Sequence, residues 1–372
     1  MSATTRDVIV IGGGLHGAAT AFHLARRGVK TLVLERSAVA RHASGASAGG
    51  VRTLGRDVRE IPLSLIAAEM WRHIRDLVND DCGYHEHGQF LVAETETERA
   101  ELLRRQDETR ALGHTHERLI GADDLRRLLP AVAPHCVAAL TVETDGAADP
   151  YQTTHAFRRR AEDLGAHFRE GEGVTAIRRI GQTWSLSTPV ATYESPVIVN
   201  CAGAWADQIA AMVGDAPPLE TRCAMMIVTE RLPPFVEGVV GAVGRKLSFK
   251  QAPNGTVLIG GGHQGRPDRE RESYELDTMN LAASAVSATA LFPRMRDVRI
   301  VRAWAGLEAQ TPDVVPVIGA SPNAPGVFHA FGFSGHGFQL GPVVGSAIAD
   351  LIISGSTNLP IAPFALSRFA TG

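Results

Sequence analysis

The chain opens on an uninterrupted apolar run, Val8 to Ile11, with no polar residue alternating into it. A run of that kind predicts a parallel strand buried on both faces. The period then changes: Ala19, Phe22, His23, Leu24 and Ala25 predict a helix from Ala18 to Arg27, and Gly28 stands where a helix C-cap belongs. A second strand follows from Lys30 to Leu34, which completes a βαβ unit. Similar strand-turn-helix signals recur at Val197 to Asn200 and at the strand before Gly332, with a last helix from about Gly341 to Ile353. By contrast, Arg245 to Gly262 holds two alternating runs around Pro253-Asn254-Gly255, which predicts a hairpin in an antiparallel sheet. Glu69 to Leu77 and Thr95 to Leu112 have helical spacing with many charges and are expected as an outer layer on the antiparallel side.

At 372 residues the chain is long for one core and allows about two domains. Hydrophobic residues make up 44%, charged residues 21%, and the net charge is -3, so no strong field favours nucleic acid or acidic membranes. Arg158 to Arg160 read as a solvated helix face. Cys82, Cys136, Cys201 and Cys223 lack the paired spacing of metal or dithiol sites, which fits a reducing cytoplasm. No signal core opens the sequence, and no run of about 20 apolar residues predicts a membrane span.

Between the first strand and helix lies Gly12-Gly13-Gly14-Leu15-His16-Gly17, a GxGxxG pattern. Gly12 permits the tight turn, Gly14 lets backbone approach a pyrophosphate, and Gly17 lets helix pack on strand. The helix N-terminus favours phosphate, and Glu35, 18 residues after Gly17, is placed to accept from an adenosine ribose. The small residues from Ala43 to Gly50, including Ser44, Ser47, Ala48 and Gly49, would let backbone lie against a second phosphate and a flavin edge. The alternative for that stretch is a flexible surface loop.

Several motifs together resemble one family, the FAD-dependent amine and amino-acid oxidoreductases of the D-amino-acid oxidase and glycine or sarcosine oxidase type. They are VIVIGGGLHGAATAFHLARRG with LVLER, SGASAGGVR, DGAADP, VNCAGAW, FKQAPNGTVLIGGG, WAGLEAQTPDVVPVIG and AFGFSGHGFQLGP, in the family's order and over nearly the whole chain. Within it, the chain looks most like β subunits of heteromeric sarcosine oxidases, proline and hydroxyproline dehydrogenases, opine oxidases and cyanide-forming glycine oxidizers. The resemblance implies an α/β fold, α+β overall. A Rossmann-like FAD-binding domain of the glutathione-reductase type (1–84, 149–216 and 317–372) is interleaved with an antiparallel-sheet substrate domain (85–148 and 217–316). It implies noncovalent FAD, with His42 the one candidate for a covalent link, and oxidation of a C–N bond by hydride transfer to flavin. It also puts Arg36, Val174, Cys201, Ala202, Gly203, Trp205, Gly306, Gly335, His336, Gly337, Phe338 and Gln339 against the cofactor. A second reading is a flavin-bearing electron-transfer subunit, inactive alone; an NAD-linked dehydrogenase is disfavoured by the GHGF turn and the last helix.

For the substrate, a small amino acid or secondary amine, the resemblance implies a carboxylate grip by Arg52, with Arg56 as fallback. The chain departs from the family at Glu308, where many members carry an arginine, and at Gln339, where monomeric sarcosine oxidases carry a lysine. Glu308 would repel a carboxylate and either meet a cationic group on a larger, opine-like substrate or face solvent. His336 would hydrogen-bond the flavin or tune the amine, or serve packing alone; His263 resembles a site-facing histidine. Lys246 and Lys250 lie near the family's oxygen-activating lysine.

Overall fold

The computed structural model describes residues 4–369. The first apolar run sits in the middle of a six-stranded sheet ordered His167–Arg169, Thr31–Leu34, Val8–Ile11, Val197–Asn200, Val327–Phe331 and Val317–Ala320. All neighbours are parallel except the last pair. Val8 to Ile11 are buried on both faces, as the unbroken run requires. One face carries the helices Leu15–Ala25, Pro150–Asp163 and Gly337–Ser354; a meander of Ala176–Ile180, Thr183–Ser187 and Thr192–Ser195 covers the other.

The second layer is an eight-stranded sheet in which the long strands Glu220–Arg231 and Ile300–Gln310 pair antiparallel. The hairpin expected around Pro-Asn-Gly is there, Ser248–Gln251 against Thr256–Gly260. Its outer face packs Phe249 on Phe292 with ring centroids 4.4 Å apart. Glu96–Ala111 lies against this sheet through Leu102, as predicted.

Glu69–Leu77 does not lie there. It continues the helix Ile61–Arg72, whose apolar face of Leu63, Ala67 and Trp71 packs on Gly337–Ser354, while Ile66, Glu69 and Arg72 face outward. Gly337–Ser354 itself starts a turn earlier than the sequence suggests. It is long and apolar enough by composition to cross a membrane, and here that apolar surface is mostly buried against its neighbouring helices. Arg158, Arg159 and Arg160 pair with Glu162, Asp80 and Asp163 on the helix surface, as a solvated face does.

Candidate active site

Between the two sheets runs one continuous cavity of about 1130 Å³. That exceeds the roughly 300–1,000 Å³ of a drug-sized pocket and leaves room for a dinucleotide with a small substrate. One end is made almost entirely of backbone. Gly12 has φ +105°, and a side chain on it would stand 2.4 Å from the Cys201 carbonyl oxygen. A Cβ on Gly14 would come within 2.9 Å of Ser44 Oγ, which accepts from the Leu15 N–H at 2.9 Å. Gly17 does not line the cavity: its missing Cβ lets the helix approach Gly12, whose carbonyl oxygen would be 1.9 Å away.

Glu35 lies at this end, accepting from the N–H groups of Gly13 and Ser37 at 2.6 and 2.8 Å. Burial pushes its carboxyl up, against those two backbone bonds. Beside it, Arg36 stacks its guanidinium on Trp205 at 4.7 Å and pairs with Glu272 at 2.8 Å. Glu272 caps the hairpin Arg266–Asp268 and Ser273–Glu275, which reaches across from the other sheet. The reach is fastened twice more: Trp205 Nε1–H donates to the Arg269 carbonyl at 3.2 Å, and Arg269 grips both oxygens of Asp207. His42 rests on Trp205 and 3.6 Å from Glu272, in the cluster that contains Arg36. Ala43–Ala46 presses on the long strand, where Trp304 donates to the Ala46 carbonyl and a Cβ on Gly306 would meet Ala46 at 2.7 Å.

The other end is lined by side chains. Arg52 reaches it from a loop fixed by buried carboxylates: Asp145 accepts from Thr53 and Leu54, and Glu117 from Gly55 and Arg105. Arg52 Nη1 donates to the Leu54 carbonyl at 2.8 Å; burial lowers its proton affinity while Asp145 and Glu60 oppose that, so it remains a cation. Glu308 opens on the cavity from the long strand, with Arg222 across the ladder. Burial pushes its carboxyl up to about 7, although the Gly335 N–H and Arg222 pull it down. At the start of the last helix, Gly337 leaves space for His16 to stack on Phe333, ring centroids 3.6 Å apart; burial lowers His16 to about 3, so it is neutral.

Of the residues expected at the cofactor, Gly12, Gly14, Leu15, His16, Glu35, Arg36, Ser44, Ser47, Ala48, Gly49 and Val174 line the cavity. So do Cys201, Ala202, Gly203, Trp205, Gly306, Gly335, His336, Gly337 and Phe338. Four expectations at the substrate end are corrected. Gln339 is fully buried behind the cavity, accepting from Ser64 Oγ and Arg56 and donating to the Ser64 carbonyl. Because the helix begins at Gly337, its first turn carries Gln339 inward. Arg56, the fallback, is spent on that same cluster and on the His336 carbonyl. His263 faces a separate outer recess, since the period of two along the chain turns Gln264 inward. Lys250 shares a sheet face with Ser248, but only Ser248 lines the cavity; burial lowers Lys250 to about 8, opposed by Asp149. Lys246 does line it. Sequence reading missed Glu60, Arg222 and Glu272, which sit in ordinary charged stretches with no motif to mark them.

The family model described as FAD dependent oxidoreductase (DAO) matches residues 7–351. Glycine oxidase of Geobacillus kaustophilus is 28% identical, covering 97% of this chain and 97% of that protein. One of the opine oxidase subunits of Rhizobium meliloti is also 28% identical, over 98% and 97%. Among solved structures, L-proline dehydrogenase from P. horikoshii superposes with a TM-score of 0.92 at 25% identity, covering 99% of this chain and 98% of that one. Glycine oxidase from Geobacillus kaustophilus gives 0.92 and 25%, over 99% and 100%. A glycine cradle closed by Glu35, inside a fold shared along its whole length with these enzymes, agrees with that match: the chain belongs to the DAO family of FAD-dependent oxidoreductases.

Proposed function

We propose that this enzyme oxidises the C–N bond of a small amino acid or secondary amine whose carboxylate is held by Arg52. The observation that carries this reading is the continuity of the cavity: a nucleotide cradle and a half-buried arginine open onto the same space. Segments 1–84, 149–216 and 317–372 hold the cofactor in this scheme, and 85–148 with 217–316 cover the substrate. FAD, bound noncovalently, supplies the hydride acceptor. Arg52 orients the substrate with a planar, two-pronged grip, and the low-dielectric walls strengthen that grip. Glu308, the only acid among the described residues lining this end, faces the nitrogen side or a second cationic group of the substrate. The relatives named glycine oxidase and sarcosine dehydrogenase support the amine substrate class. Four buried thiols free of disulfides support a cytoplasmic setting.

The test is product stoichiometry. Anaerobic mixing with a substrate should yield one imine per FAD reduced, hydrolysed to a carbonyl product with one released amine or ammonia when the substrate is acyclic; reduced flavin with neither imine nor carbonyl product would overturn the reading. A second reading, a flavin-bearing subunit inactive alone, is favoured by relatives named as subunits, of opine oxidase and hydrogen cyanide synthase. It predicts that the purified chain keeps FAD yet reduces it only with a partner subunit present.

A further inference from the structure

Behind the substrate end of the cavity lies a carboxylate in the field of Arg52 and Arg56. Glu60 is 1% exposed, and its Oε1 has no hydrogen-bond partner among the described residues. It stands 3.5 Å from Nδ1 of His336, which is equally without a partner. His336 precedes the first residue of the last helix and lines the cavity. With Nδ1 turned to Glu60, the opposite edge of the ring, bearing Nε2, is the edge left for the cavity. A buried acid facing one nitrogen of a histidine while the other meets a ligand space is how a protein selects a tautomer.

Resting on the amine-oxidation reading above, we propose that Glu60 is a positioning residue: it holds neutral His336 with the proton on Nδ1, so that the Nε2 lone pair accepts a proton from the substrate ammonium. In that step the N–H bond of the ammonium breaks and an Nε2–H bond forms. The substrate keeps its electron pair as the free amine, and the charge moves to an imidazolium facing Glu60. No oxidation occurs until the neutral amine has been formed.

The electrostatics around the ring agree with this assignment. Burial lowers the proton affinity of His336, Arg56 and Arg52 lower it further, and Glu60 raises it. Burial works against the Glu60 anion too, yet His336, Arg56 and Arg52 hold its carboxyl below the ordinary value. Glu308, next to Gly335 on the long strand, is the other acid facing this turn. His336 is therefore neutral at rest with one strong acceptor behind it, as a proton acceptor must be.

The test uses the resting holoenzyme labelled with ¹⁵N in its histidines, with the His336→Asn spectrum used to assign the signal. Wild type should show the Nδ1–H tautomer. In Glu60→Gln, His336 should titrate about one pH unit lower, a tenfold loss of proton affinity, and Glu60→Asp should restore most of that shift at unchanged FAD content. With an amine that reduces the wild-type flavin, sought first among sarcosine, glycine and proline, the acid limb of the reduction rate should move by the same unit. A wild-type Nε2–H tautomer, or a Glu60→Gln titration identical to wild type, would overturn the proposal. Failure of all amines to reduce wild-type flavin would instead sink the functional reading, while the resting titration would still decide the role of Glu60.

Discussion

At the nucleotide end the wall is backbone: Gly12, Gly14 and the Ala43–Ala46 turn approach so closely that side chains would collide, and one acid, Glu35, fixes the loop. At the other end the wall is long side chains from separated segments: Arg52 after the small-residue loop, Arg222 and Glu308 on paired long strands, and His336 before the last helix. A backbone wall fits one ligand shape and leaves little to vary. A side-chain wall can change its charge by single substitutions without disturbing the fold, as the acid at Glu308 illustrates.

The comparison breaks most visibly at Gly12. Gly12→Ala forces a Cβ onto the Cys201 carbonyl in a left-handed conformation, at a cost of about 2–3 kcal/mol. The purified variant should lack flavin absorbance, and full FAD content would show that the cradle is looser than its geometry. Arg52→Gln should leave FAD content intact and raise KM roughly a hundredfold, about 2–3 kcal/mol for a charged hydrogen-bonded contact. Gln339→Met is its control: it should lower the melting temperature by removing partners of Ser64 and Arg56, with KM unchanged.

Glu308→Gln sharpens the charge argument. Since the wild-type carboxyl loses its proton near pH 7, binding of a substrate with an added cationic group should tighten as pH rises through 7. The variant should bind it about tenfold more weakly at pH 8, with little pH dependence. Stability runs the opposite way. Glu308 holds its proton more tightly folded than unfolded, so it lowers stability as pH rises from its ordinary 4.5 toward 7. The variant should thus gain about 1–2 kcal/mol over wild type at pH 8 and nothing at pH 4, read by urea unfolding of both. The smallest effect belongs to the hairpin over the nucleotide end. Arg269→Ala removes a partly exposed pair to Asp207 worth about 0.5–1 kcal/mol and should speed FAD release a few-fold.

The same contrast explains what could be read from the sequence. The nucleotide end is written in one continuous stretch, because glycines at fixed spacing and an acid after the next strand are local demands of backbone geometry. The parallel and antiparallel halves were legible for the same reason, through unbroken and alternating apolar runs. The substrate end is set by tertiary placement. Gln339 turned inward because the helix starts at Gly337, His263 turned outward through the alternation at a strand end, and Glu60 gained its meaning only from a histidine 276 positions later. Glu69–Leu77 lies elsewhere than expected because its surface charges mask Trp71, the end of an apolar stripe that begins with Leu63 and Ala67 before the segment.

The most direct measurement of the central claim is an anaerobic visible spectrum of the purified holoenzyme during titration with sarcosine, glycine, D- and L-amino acids, proline, hydroxyprolines and opines. The account predicts oxidised flavin bands that one of these amines bleaches in wild type, and that bleach only at far higher concentration in Arg52→Gln. Flavin bands that no amine bleaches, or equal bleaching of wild type and Arg52→Gln, would contradict it.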